Sequence, residues 1–312
     1  MRVAVAGGTG TIGSSIVSAL ASSGRHTPVI LSRSAPSTTT NPTVETRVVD
    51  YSSHESLVNA LRDIDAVISA LLIPGPEFVT YQLNLLHAAE EAKCKRFAPS
   101  EWALSYESHK IVSIDRAKII VWDAVKESVS QGKIDAALFP CGMFMNYLGI
   151  GAPKEEEARA GFREGPMVFH LDDKKTGPWV EIPVNDEDGS FPSVTMTDIR
   201  DVGKFVAAAL DMDEPWGGRE LGMAGETVNL ADIVELCKKY VSKDIQVKTV
   251  SVSELQRKID SLDPSDILAR VELEYPMVCG RGGSVVKATL NELCPEVKPT
   301  RIEDFLKKYW AA

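Results

Sequence analysis

An α/β fold built on a doubly wound parallel sheet, with a smaller C-terminal domain, is what this sequence predicts, and three observations predict it. The chain opens on an apolar run followed at once by glycines at three-residue spacing. Short apolar runs then alternate with amphipathic stretches, and past Gly149 that rhythm gives way to charged and turn-forming clusters.

Residues 2–6 are apolar and β-branched, as suits a buried strand, and Gly7, Gly10 and Gly13 come directly after. A glycine at the strand end allows a tight turn, the middle one lets backbone approach a pyrophosphate, and the last lets the next helix pack close. Ile12, Ile16 and Leu20 fall on one helical face, and Gly24 stops that helix. Unpaired N–H groups at its start favour an anion without any charged side chain. Gly7, Thr9, Gly10, Thr11, Ile12 and Gly13 are therefore the expected cradle of a dinucleotide in a Rossmann-type sheet.

Further strands are expected at residues 27–32, 45–50, 65–71, 96–100 and 135–140, making six, and helices at 55–62, 77–92 and 114–129. Such a sheet binds ligands outside the carboxyl ends of its strands. Residues 34–43 read as an exposed loop, and 151–193 as loops with a hairpin. A strand at 192–196 leads to a helix that Thr197, Asp198 and Asp201 cap and charge, and which carries Val202, Phe205, Val206 and Leu210. A helix fits 230–241 and a strand 245–250, while Thr300 with Glu303 suggests a capping box before a last helix ending near Trp310. Residues 263–286, with Cys-Gly-Arg-Gly-Gly, read as a mobile loop over the pocket. The expected division is 1–149 with the returning segment 191–212 for the cofactor, and 150–190 with 213–312 for the substrate.

The 312 residues are 44% hydrophobic and 25% charged, an ordinary globular composition, and the net charge of -10 argues against a nucleic-acid partner. No apolar stretch is long enough for a membrane span, and the chain opens on a strand instead of a signal peptide, so a cytoplasmic protein is expected, as a monomer or homodimer. The cysteines, Cys94, Cys141, Cys237, Cys279 and Cys294, lack zinc or disulfide spacing and suit reduced thiols. His26, His54, His87, His109 and His170 show no metal-ligand spacing either, and are read as surface or packing residues, with no metal expected.

Cofactor choice is set where the second strand ends, since side chains there meet the adenosine ribose. Ser32, Arg33 and Ser34 stand at that point without an acid, which favours the 2′-phosphate of NADPH/NADP+. Asp50 and Tyr51 are placed to flank the adenine, and Ala70 and Leu71 to lie near the cofactor's middle.

Residues 96–103, Arg-Phe-Ala-Pro-Ser-Glu-Trp-Ala, leave the fifth strand, and Ser-Ile-Asp-Arg-Ala-Lys-Ile-Ile-Val-Trp-Asp-Ala-Val opens the next helix; Gly142 to Phe144 form a Gly-x-Phe element. With the opening Gly-Gly-Thr-Gly-x-x-Gly, these resemble the NmrA-like and isoflavone-reductase-like group of atypical short-chain dehydrogenases. The resemblance implies an NADPH-binding domain, with Pro99 and Ser100 at the cofactor, and a catalytic lysine. In that group apolar residues sit three and seven places after the lysine, as Val121 and Val125 do for Lys118, whereas Arg116 puts Asp123 at the second place. Ser113 is the expected N-cap, with Lys118 in the second turn. Ile114 stands four residues before it, so the usual Tyr-x-x-x-Lys tyrosine is missing, and the literal pair Tyr106 and Lys110 is read as coincidence. Glu101, Trp102, Phe144 and Tyr147 are the substrate-side candidates.

The resemblance further implies an NADPH-dependent reductase of a small aromatic or heterocyclic molecule, with Lys118 as proton donor and a pKa lowered by burial. The bond is C=C, C=O or C=N, the last as in an imine reductase or cyclase of secondary metabolism. A different class is also represented in this group, a non-catalytic regulatory protein that senses NADP.

Overall fold

The computed structural model describes residues 1–35, 44–113, 115–172, 175–242 and 244–311, and the expected loop at 34–43 falls mostly outside them. Its centre is a parallel sheet containing β1 (Arg2–Ala6), β2 (Thr27–Ser32), β3 (Glu45–Val48), β4 (Ala66–Ser69), β5 (Arg96–Ala98) and β6 (Asp135–Leu138). Apart from the edge strand β3, whose residues are exposed or half-buried, they form where a run can be buried on both faces, and residues 3–6 of β1 are fully buried. β1 and β2 end where expected, and β3 to β6 each stop two residues earlier; Pro99 directly after β5 and Pro140 shortly after β6 cannot donate to the ladder.

The sheet holds a seventh strand that the sequence pattern does not reveal. Arg219–Glu220 pairs parallel to β6, and the order runs Arg219–Glu220, β6, β5, β4, β1, β2, β3. Strand order reverses between β1 and β4, and the crevice at that switch point is where such sheets take ligands.

Helices α1 (Thr11–Ser23), α2 (His54–Leu61), α3 (Glu77–Glu91), α4 (Tyr106–His109) and α5 (Arg116–Ser130) flank the sheet. The returning helix Ile199–Asp211 packs on α1, with Ser15 Oγ donating to the Ile199 carbonyl at 2.7 Å. Gly203 permits that approach, since a Cβ there would lie 2.4 Å from the Ser15 carbonyl oxygen. Asp198 caps this helix as expected, accepting from the Arg200 backbone N–H at 2.8 Å.

The second region is built on two small sheets. The expected hairpin is Phe169–His170 against Trp179–Val184, antiparallel, and Gln246–Ser251 adds to it in parallel. Ser193–Thr197 lies between Glu226–Asn229 and Met143–Phe144, which ties this region to the exit of β6.

Three expectations are corrected here. Residues 263–286 are not a loop, since helix Ile267–Gly280 occupies most of them and contains Pro276. The last helix, Ile302–Trp310, has no Thr300 and Glu303 capping box; Glu226 reaches across to accept from the Ile302 N–H at 3.1 Å, and Glu303 turns to Lys239. Asp115 instead of Ser113 stands at the N-cap of α5, so Lys118 sits in the first turn; Ile114 lies outside the described residues.

All five cysteines are buried free thiols. Among the described residues no helix is long and apolar enough to cross a membrane, and no cluster of metal-ligating side chains occurs.

Candidate active site

The glycine turn between β1 and α1 has the geometry that its spacing predicts. Gly7 has φ +75°, and a Cβ there would lie 2.6 Å from the Ala70 carbonyl oxygen. Gly13 is pressed against the turn, but the Cβ of Gly10 would meet only the Gly7 carbonyl oxygen, at 3.3 Å. α1 begins at Gly10 with no side-chain cap and no acid in its first turn, so its N–H groups are presented to the crevice. Thr9 is exposed, Thr11 and Ile12 half-buried, and the Thr11 hydroxyl donates to the Gly161 carbonyl at 2.8 Å. These features fit a bound pyrophosphate.

At the end of β2, Ser32 is half-buried and Arg33 and Ser34 are exposed, with no carboxylate among them. Asp50 is exposed and accepts from the Ser52 hydroxyl and backbone N–H. Tyr51 is 3% exposed, its hydroxyl donating to the Leu31 carbonyl at 3.0 Å and its ring stacked with Tyr81. Ala70 lines the Gly7 turn, Leu71 and Pro99 are buried, and Ser100 Oγ donates to the Leu71 carbonyl at 3.0 Å.

Beyond Pro99 and Ser100 the chain brings together a buried set of charges. His109 stands between two carboxylates, with Nδ1 2.9 Å from Asp115 Oδ2 and Nε2 3.1 Å from Glu101 Oε2. Lys118 Nζ lies 3.5 Å from Asp115 Oδ1, and the Tyr275 hydroxyl donates to Asp115 Oδ2 at 2.9 Å. His109, Glu101 and Asp115 are only 1%, 2% and 3% exposed. Glu274, next to Tyr275 on helix Ile267–Gly280, accepts from the Ser113 N–H at 2.6 Å and so holds the chain leading into α5.

The charges fix one another. Burial alone would push the Lys118 pKa down, as the sequence suggested, but Asp115 and Glu101 outweigh it and the pKa is raised. Burial likewise opposes ionisation of Asp115, yet Lys118 and His109 bring its pKa down to about 2. Cys141, fully buried at the β6 exit and facing the same lysine, is pushed up to about 12 by burial and stays a thiol.

The structure separates the two lysine registers. Lys118 points inward to Glu101 and Cys141 at the exits of β5 and β6, whereas Arg116 is exposed. Tyr106 and Lys110 form a surface group, with Lys110 on Glu107 and Tyr106 donating to Asp123.

Among the substrate-side candidates, Tyr147 and Phe144 come together around Phe162, with centroids 4.6 and 5.8 Å from its ring, and Tyr147 donates to Glu164. Both carboxylate oxygens of Glu101 are buried without an aligned hydrogen bond, and so is His109 Nε2, which stands 3.1 Å from Glu101 Oε2. Trp102 is not brought to this wall. It is 5% exposed, stacked on Phe139, and its indole N–H donates to the Ser69 carbonyl at 2.9 Å.

His109, Asp115, Tyr275, Phe162 and Glu164 were missed by sequence reasoning. His109 in particular is neither a surface residue nor mere packing. An acid three residues before Lys118 was the one visible signal, because that spacing brings side chains together on a helix.

A family model, NmrA-like family, matches residues 1–306. The chain is 33% identical over 248 residues to oxidoreductase BOA1 of Botryotinia fuckeliana (strain B05.10), covering 78% of this chain and 77% of that protein. Oxidoreductase swnN of Metarhizium robertsii is 25% identical over 347 residues, covering 99% and 97%. Among solved structures, an isoflavone reductase superposes with a TM-score of 0.74 at 21% identity, over 98% of each chain. AtPrR2 with NADP+ and (+)pinoresinol gives 0.73 at 20%, also over 98% of each. These two likenesses establish the fold.

Proposed function

The chain belongs to the NmrA-like family, and from that premise we propose that it is an NADPH-dependent oxidoreductase that reduces a small aromatic or heterocyclic molecule. The observation that carries the reading is the inward Lys118 ammonium, held on Asp115 between the exits of β5 and β6. Curated relatives named as oxidoreductases and related structures solved with NADP+ or NADPH support both the activity and the cofactor. Residues 1–149 with 191–212 hold the cofactor, and 150–190 with 213–312 hold the substrate.

When bound, the nicotinamide supplies the hydride. The N–H groups of α1 and the glycine turn hold the pyrophosphate, and Ser32, Arg33 and Ser34 hold the 2′-phosphate. Phe144, Phe162 and Tyr147 form an aromatic wall for a flat substrate. Lys118 keeps its proton at neutral pH, since its pKa is raised, and releases it to the acceptor atom as negative charge builds there.

The test is NADPH oxidation with a panel of aromatic carbonyl, conjugated alkene and cyclic imine acceptors, alongside titration of NADPH. Turnover of an acceptor is expected. Tight NADPH binding without turnover of any acceptor would favour the sensing regulator instead.

A further inference from the structure

Both ring nitrogens of His109 face carboxylates, and that places a chemical demand on the ring. A neutral imidazole has one N–H and one lone pair, so it can donate to Asp115 or to Glu101, and its lone pair must then face the other carboxylate about 3 Å away. With both acids as carboxylates, only the imidazolium offers a proton to each, the one toward Glu101 along a close contact that is not aligned as a hydrogen bond. The site also has no bulk water to screen the mismatch, because His109, Glu101 and Asp115 are almost wholly buried.

We propose that His109 is a positioning residue that stands as an imidazolium between Glu101 and Asp115, and that its charge sets how readily Lys118 gives up its proton. This rests on the reading of Lys118 as proton donor. Asp115 receives His109 and Tyr275 on Oδ2 and Lys118 on Oδ1, so the histidine orients the carboxylate that holds the lysine. With His109 charged, two cations face two carboxylates. Without that proton, the two carboxylates bear on the Lys118 ammonium alone and hold its proton more tightly.

The groups facing His109 come from several elements. They are Glu101 after β5, Asp115 and Lys118 at the start of α5, Tyr275 through Asp115, and Glu220 on the edge strand. Burial and Lys118 oppose the second ring proton, but Asp115 and Glu101 outweigh them and raise the pKa above 6.5. Turnover should therefore fall as pH rises through a value above 6.5.

The experiment compares pH profiles of turnover for the wild type, His109→Gln and Glu101→Gln, with NADPH affinity measured beside each. His109→Gln should lose the alkaline limb and run about ten-fold below the wild type on its acid side for each pH unit that Lys118 is shifted. The two should converge at high pH, with NADPH affinity unchanged. Glu101→Gln, which removes the negative charge beside Nε2, should move the limb to lower pH. A wild-type profile flat above pH 6.5, or a His109→Gln enzyme that keeps the limb, overturns the proposal.

A second measurement needs no turnover and no variant. The His109 ring, followed by nitrogen NMR in the wild type with NADPH bound, should titrate above pH 6.5. Titration below that value defeats the proposal even if an acceptor is found, whereas titration above it sustains the imidazolium even if none is.

Discussion

Gly13 sits so close to Gly7 that a Cβ on it would lie 2.1 Å from the Gly7 carbonyl oxygen. Gly10, between them, has φ -79° and nothing nearer to its Cβ than that same oxygen at 3.3 Å. The three glycines therefore serve different ends. Gly13→Ala must push α1 away from the turn, and should cost about 1 to 3 kcal/mol or more of stability, as overpacking does.

Gly10→Val should leave the fold in place and remove cofactor binding, because its side chain is tolerated by the backbone but stands where the pyrophosphate meets it. Thermal unfolding and NADPH titration of the two variants separate the effects. A Gly10→Val protein that folds and binds NADPH normally would mean that the cradle has been misassigned.

Arg33 is exposed at the end of β2, with Ser32 and Ser34 on either side of it in the chain. Charge-assisted pairing to a phosphate is typically worth about 1.5 to 3 kcal/mol, so Arg33→Ala should weaken NADPH roughly ten-fold or more and leave NADH nearly unchanged. Titration of both cofactors into both proteins checks this. Equal wild-type affinity for the two would count against the assignment.

Five of the six expected strands could be read because each is a run of residues mostly buried on both faces, and β3, exposed or half-buried at the sheet edge, could be read only from its place in the alternation. The seventh could not, since Arg219–Glu220 is two exposed charged residues with no period to detect. Helix Ile267–Gly280 was hidden by Pro276 and by a mixed face on which Leu268 is 78% exposed. Lys118 could be placed by register, but its partners could not. Asp115 and Tyr275 lie 160 residues apart, and only the folded chain puts that phenol on the carboxylate. The error over the lysine's pKa has the same origin, for burial was foreseen from sequence and the two neighbouring carboxylates were not.

Asp115 gives a prediction about acid stability. Its folded pKa, about 2, is below the ordinary aspartate value of 3.8. The stability that it contributes is present above about pH 4 and is lost as pH falls toward 2, where the carboxylate takes up a proton. Asp115→Asn has no such proton to gain. It should be less stable than the wild type at neutral pH, with the gap narrowing between about pH 4 and pH 2. Urea unfolding at several pH values reads this, and a gap independent of pH would show that Asp115 is not held ionised by its neighbours.

The most direct prediction concerns Lys118. Lys118→Met keeps the length and helix propensity of the side chain and removes only the ammonium, so α5 should form as before. The residue lies at the strand exits and away from the glycine turn, and NADPH should therefore bind with near wild-type affinity. General acid catalysis commonly contributes 10²- to 10⁴-fold, so turnover should drop by about a hundred-fold or more. Lys110→Met and Tyr106→Phe serve as controls, because that pair is engaged with Glu107 and Asp123 at the surface and should leave turnover unchanged. Single-turnover NADPH oxidation with an acceptor from the panel is the measurement, since it isolates the chemical step from product release. Full activity in Lys118→Met would remove the lysine from the mechanism. A defect that appeared in Tyr106→Phe and Lys110→Met instead would transfer the role to the pair that the structure places outside the cleft.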